Sequence, residues 1–84
     1  YSERVMSNIR RKLIKSTESF LQGHIDKHIA NIENLLDNHV ALAEHPDIIE
    51  TIEKELSVVA DYEDKLNVLK KYFMKSSGKE VLNG

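Results

Sequence analysis

Apolar residues recur along most of this chain at alternating steps of three and four, and this spacing most constrains its fold. Between residues 21 and 42, one such stripe is formed by Leu21, Ile25, Ile32, Leu35 and Leu42. Because an α-helix has about 3.6 residues per turn, side chains at this spacing lie on one face. The pattern predicts a long amphipathic helix, and a content of only three glycines and one proline favours an all-α fold.

The first helix is predicted over residues 3–43, because no proline and only Gly23 interrupts it. At about 1.5 Å per residue it would be about 60 Å long. Its apolar stripe changes line near Gly23, where glycine costs the helix about 1 kcal/mol relative to alanine. We interpret Gly23 as a close approach of a neighbouring helix or a slight bend. A hinge between two layers of a bundle is the alternative.

Residues 44–47 are predicted to turn the chain, because the residue before Pro46 is driven out of the helical region. Asp47 followed by Glu50 resembles a capping box at the start of a second helix over residues 48–75. Residues 76–84 are predicted to leave that helix, beginning at a Ser-Ser-Gly stop. The apolar stripe of the second helix consists of Ile49, Ile52, Leu56, Val59, Tyr62, Leu66, Leu69 and Phe73.

A short connection between two long helices predicts an antiparallel hairpin. If Ala43 lies level with Asp47, then His28 faces Tyr62. The hairpin covers only part of each stripe, so we expect dimerisation into a four-helix bundle, or packing against partner helices. The residues expected at this interface are Ile25, Ile29, Ile32, Leu36, Ile52, Val59 and Leu66.

Charge is segregated along the chain, although the formal net charge is only −2. In an antiparallel hairpin the basic residues meet at the open end, whereas acidic residues gather towards the turn. Such a basic end suits an anionic membrane surface, unless its cations only complement helix dipoles in solvent. Nucleic acid is disfavoured, because no aromatic reading surface is interleaved with the cations. The basic residues are Arg4, Arg10, Arg11, Lys12, Lys15, Lys65, Lys70, Lys71, Lys75 and Lys79.

Two histidines, His28 and His39, occupy positions in the apolar stripe of the first helix. We expect polar contacts in the seam between the helices, with His28 hydrogen-bonded to Tyr62 or to an acid of the second helix. A pH-sensitive seam formed by His28, His39 and Tyr62 is the alternative, because burying an imidazolium is costly. The surrounding acids would oppose such a switch by stabilising the charged ring.

His24 and His28 are four residues apart, as in the histidine pairs that bind metals. No further ligand follows at a useful spacing, so we expect neither a metal nor a cofactor. If a metal did bind, His24 and His28 would be the candidate ligands. The chain has no cysteine, which excludes disulfides and thiolate sites. It also lacks a glycine-rich phosphate loop, and a thin hairpin offers no catalytic pocket. These features predict a protein that is not an enzyme.

The segment LDNHVALAEHPDII, which follows a long amphipathic helix, resembles the opening helices of Cache-type ectodomains in chemoreceptors and sensor kinases. Their membrane-proximal helix often ends in a Leu-Ala-x-x-Pro-like stretch, here residues 42–46. The resemblance covers residues 1–56 and implies a helical dimer stalk in a membrane-anchored, extracytoplasmic sensor. The long second helix and the missing sheet of the ligand pocket depart from that family, and no ligand residue is carried over.

The sequence thus predicts a non-enzymatic helical oligomerisation or signal-relay module within a membrane-anchored sensor. One alternative is a soluble interaction module, an adaptor or inhibitor that docks through its apolar stripe. Another is a metal- or pH-responsive histidine bundle. The chain begins with Tyr1 rather than methionine, so we expect a fragment or a processed product. Without the sensor resemblance we expect a cytoplasmic protein.

Overall fold

The computed structural model describes residues 2–38 and 47–74, with side chains from residue 7 onward. Within these residues it contains two α-helices, α1 over Ser2–Asp37 and α2 over Ile48–Phe73. The helices pack against each other as a hairpin, which confirms the predicted all-α class. Predictions that fall outside the described residues concern His39, the turn at 44–46 and the exit segment 76–84.

α1 ends at Asp37, whereas the sequence predicted a helix to residue 43. The amide of Asn38 contacts the Leu35 carbonyl at 3.4 Å, an i→i−3 contact typical of a tightened last turn. Aspartate and asparagine side chains compete with the helical backbone for hydrogen bonds and therefore favour helix ends. The Asp37-Asn38 pair is the local signal for the earlier end.

α2 begins directly after Asp47, as predicted, but the expected capping box does not form. The Asp47 side chain makes no capping hydrogen bond. Its backbone carbonyl instead accepts from the Thr51 amide at 3.1 Å and from the Thr51 hydroxyl at 3.3 Å. Glu50 lies in the first turn, and Lys70 and Lys71 lie in the last. Acids and bases at these ends stabilise the helix through its dipole.

Gly23 lies inside α1, which continues through it without interruption. A Cβ atom added there would meet no atom of the described residues within 4 Å, apart from its chain neighbours and the local helix backbone. The interpretation of Gly23 as a close approach between the two helices is therefore wrong, because neither α2 nor a neighbouring side chain of α1 reaches this position.

A small apolar cluster holds the two helices together. Leu21 is 6% exposed, while Ile25 and Leu66 are 5% exposed. Around this centre pack the partly buried Val59, Tyr62 and Leu69. The expected interface residues Ile25 and Leu66 thus lie in the core of the hairpin itself.

The pairing of the helices differs from the predicted register by four residues at Tyr62 and by seven residues at His28, which is one to two helical turns. Tyr62 stacks on His24 with ring centroids 4.5 Å apart, whereas the prediction placed it opposite His28. His28 instead contacts Glu55. Because the later residue of α1 meets the earlier residue of α2, the hairpin is antiparallel, as predicted. The predicted register depended on a first helix that reached Ala43, and the early end of α1 removes that constraint.

Candidate functional site

His28 and Glu55 form the polar link between the helices. Nδ1 of His28 lies 2.6 Å from Oε1 of Glu55, and Nδ2 of Asn31 donates to the same oxygen at 3.3 Å. The side chains of His28 and Glu55 are only 17% and 22% exposed. Since an ionised carboxylate can only accept, Nδ1 of His28 carries the hydrogen. His28 therefore has an acid of the second helix as its partner, which is one of the two partners expected from the sequence.

The hydrogen bond from His28 lowers the pKa of Glu55 below its ordinary value of 4.5. Burial of the carboxyl group opposes this shift, whereas the Asn31 hydrogen bond and the positive charge of Lys27 reinforce it. Glu55 is therefore ionised at neutral and mildly acidic pH. Glu55 thus places a negative charge beside the His28 ring.

His24 is packed between two other aromatic rings. Its ring stacks on Tyr62 at an interplanar angle of 4°, and Phe20 meets it edge-on with centroids 4.5 Å apart. The ammonium of Lys65 lies 4.8 Å from the Tyr62 ring centroid, which is a cation–π contact. Nδ1 of His24 is buried and has no hydrogen-bond partner among residues 7–38 and 47–74. Sequence reasoning missed this cluster, although the i, i+4 spacing of Phe20 and His24 was a signal for part of it.

The two candidate metal ligands do not converge on one point. The rings of His24 and His28 have centroids 6.3 Å apart and are nearly parallel, at 13°. Nδ1 of His28 is already engaged by Glu55. Among residues 7–38 and 47–74, no group of three or more histidines, cysteines or acids is placed to hold a metal ion.

Ten large apolar side chains are exposed in the described part of the chain; eight of them form two groups at opposite ends of the hairpin, and the other two are Val68 and Phe73. The open-end patch consists of Ile9, Leu13, Phe20 and Tyr72, which are 52–62% exposed. The tip patch consists of Ile29, Leu36, Ile49 and Leu56, which are 41–73% exposed. Of the expected interface residues, Ile29 and Leu36 therefore lie on the surface, while Ile32, Ile52 and Val59 are half-buried.

On α1, the two patches lie on opposite sides of the helix. Successive residues are turned by about 100°, so the nine steps from Phe20 to Ile29 make about two and a half turns and leave the two side chains about 180° apart. Phe20 lies on the same side of the hairpin as the stacked rings of His24 and Tyr62. Ile29 is on the other side of the hairpin.

The same division holds on α2. Viewed along the axis of α2, the side chains of Tyr62 and Tyr72 are rotated from the buried Leu66 by about 40° and about 120° in the same direction. Leu56 is turned by about 80° in the other direction. The open-end patch therefore shares the Tyr62 side of the hairpin, and the tip patch occupies the opposite side.

The two patches have opposite electrostatic surroundings. Residues 7–20 and 65–74, at the open end, carry seven lysines and arginines against one acid, Glu18. Residues 26–37 and 47–61, towards the tip, carry eight acids against Lys27 and Lys54. The antiparallel hairpin thus brings the cations of α1 and α2 to one end, as expected from the sequence.

No helix in the described part of the chain is long and apolar enough to cross a membrane. The residues quoted for the sensor resemblance include residues 39–46, which lie outside the described residues. Comparison with protein-family models, with curated proteins and with solved structures gives no match to this chain.

Proposed function

We propose that this chain is a non-enzymatic helical oligomerisation module in which further copies cover the open-end and tip patches. The observation that carries the proposal is the imbalance between buried and exposed apolar side chains. In the described part of the chain the buried residues are Leu21, Ile25, Ile48 and Leu66, whereas eight large apolar side chains lie in the two exposed patches.

The energetics of small domains favour this function. Covering one large aliphatic or aromatic side chain stabilises a protein by about 1.5–3 kcal/mol. A core of this size contributes little stability by itself, and small scaffolds without disulfides or metals commonly obtain the remainder by oligomerisation. A four-helix bundle formed by two hairpins covers side chains on both α1 and α2. We propose a second copy as the occupant of each patch because the charges around the two patches are opposite in sign. The chain therefore carries a complementary partner for each of its own patches.

Sedimentation equilibrium over a wide concentration range tests self-association. The wild-type mass should rise with concentration, and Leu13→Ser or Leu56→Ser should suppress that rise by removing an apolar contact. Ser57→Ala, at another exposed position of α2, is the matched control and should associate like the wild type. A wild-type chain that remains monomeric at its highest soluble concentration would contradict the proposal.

Signal relay in a membrane-anchored sensor is the setting that we propose from the sequence resemblance. Its structural support is α1, a continuous helix of 36 residues that is tied to α2 by the His28–Glu55 contact. A displacement at one end of such a helix is carried to the other end. In this setting the basic open end lies towards anionic lipid headgroups.

The complete gene tests this setting directly. A hydrophobic run of about 20 residues immediately before Tyr1 would supply the membrane anchor. An initiator methionine immediately before Tyr1 would defeat the sensor setting. It would leave the proposed oligomerisation untouched, because that proposal depends only on the exposed patches.

A further inference from the structure

We propose that copies of this chain associate head to tail, with the open-end patch of one hairpin docked on the tip patch of the next. The inference rests on the proposed oligomerisation and specifies which surfaces meet. Both patches are apolar, so either contact removes hydrocarbon from water. The charge around the patches decides between like and unlike pairing.

Pairing of like patches is electrostatically unfavourable. Two open ends in contact would bring together two clusters of seven cations, and two tips would bring together two clusters of eight acids. At physiological salt, charges are screened beyond about 8 Å, and charges at the rim of a docked patch lie within that distance. Juxtaposed like charges suppress a contact, whereas complementary charges speed and strengthen it.

The charges that flank each patch are placed to act in this contact. Arg10 and Lys12 lie about 80° to either side of the Ile9–Leu13–Phe20 line on α1. At the tip, Glu33 lies beside the α1 stripe and Glu53 beside the α2 stripe, each about 50° away. All four side chains are exposed. Within residues 7–38 and 47–74, none of them forms a hydrogen bond or an ion pair with the hairpin.

The opposite locations of the patches determine how such an assembly grows. A contact between two different surfaces is heterologous, so each docked copy still offers one free patch of each kind. Association of this kind closes only if the rotation between copies forms a ring. The mass of the assembly is therefore expected to increase beyond a dimer as concentration rises, and to decrease as salt is added.

Charge reversal at each patch tests the pairing. Arg10→Glu/Lys12→Glu makes the open end acidic at its rim, and Glu33→Lys/Glu53→Lys makes the tip rim basic. Each variant alone should self-associate at least about tenfold more weakly than the wild type, because its two patches then carry like charges. An equimolar mixture should recover association, since the reversed open end of one variant meets the reversed tip of the other, and their two unchanged patches also carry opposite charge.

Lys15→Glu/Lys70→Glu is the matched control, with the same charge change at the open end but away from the open-end patch. It should weaken association less than Arg10→Glu/Lys12→Glu does. Sedimentation velocity measures mass, and circular dichroism checks that each variant keeps its helices. Failure of the mixed variants to associate would overturn the head-to-tail contact, as would wild-type association that stops at a dimer and strengthens with salt. A monomeric wild type would instead contradict the proposed oligomerisation itself.

Discussion

Nδ1 of His28 lies 2.6 Å from Oε1 of Glu55, and this contact links α1 to α2 across the hairpin. On α1, His28 lies three residues beyond Ile25, which belongs to the buried cluster of Leu21, Ile25 and Leu66. A polar pair with few alternative partners disfavours sliding of one helix past the other, because any slip would leave a half-buried charge without its hydrogen bond. The pair therefore contributes to the register as well as to stability.

Glu55→Gln should lower the free energy of unfolding at pH 7 by about 1–2 kcal/mol, because it removes a charge-assisted hydrogen bond. The folded state lowers the pKa of Glu55 below 4.5. Its contribution is therefore complete above that value and is lost as the pH falls through the lower, folded-state pKa.

Urea unfolding at pH 7, 5 and 3.5 measures this contribution. The loss of stability in acid should be smaller in Glu55→Gln than in the wild type. Glu63→Gln removes the same charge from an exposed position of α2 and should leave the acid sensitivity unchanged. Equal acid sensitivity in Glu55→Gln and the wild type would show that the carboxylate is not stabilised by folding.

His24→Phe should raise the free energy of unfolding by about 1 kcal/mol. The substitution removes the buried Nδ1 that has no hydrogen-bond partner, and such an atom costs about 1–3 kcal/mol. A phenyl ring retains the stacking on Tyr62 and the edge contact with Phe20. His24→Leu, which removes both the nitrogen and the ring, should gain less. A loss of stability in His24→Phe on chemical denaturation would mean that Nδ1 has a partner.

Gly23→Ala should stabilise the chain by about 1 kcal/mol, because alanine restricts the unfolded backbone and favours the helix. The added methyl group meets no atom within 4 Å. Ala30→Gly, the reverse change at another exposed position of α1, should destabilise by a similar amount. Thermal unfolding of the pair measures both effects, and a destabilised Gly23→Ala would reveal a neighbour at this position.

Leu66→Ala should destabilise the hairpin by about 2–4 kcal/mol, because it removes a buried side chain and leaves a cavity. Leu66 is 5% exposed, whereas Leu56 on the same helix is 52% exposed. Leu56→Ala should change the stability of the isolated hairpin by about 0.5 kcal/mol or less, while weakening self-association. Urea unfolding at low concentration measures the first effect and sedimentation the second. Equal destabilisation by the two substitutions would contradict the assignment of the core.

The helical hairpin was predictable from local patterns. The three-four spacing, the rarity of glycine and proline, and the acid and base at the ends of α2 all act within a few residues along the chain. A polar partner for His28 across the seam, either Tyr62 or an acid, also followed from its place in the apolar stripe. The end of α1 was missed because an apolar stripe continues past Asp37, although an aspartate-asparagine pair favours a helix end.

By itself, the sequence determined the two amphipathic helices, their antiparallel order and the separation of charge between tip and open end. Only the tertiary structure decided that Tyr62 meets His24, that Glu55 meets His28, and that eight of the exposed apolar side chains form two patches on opposite sides. Helical periodicity predicts which face of each helix is buried, but it leaves the register between the two helices open. Shifting one helix along the other by three or four residues buries nearly the same apolar surface. Side-chain contacts between the helices distinguish these registers, since each pairs a different set of rings and polar atoms.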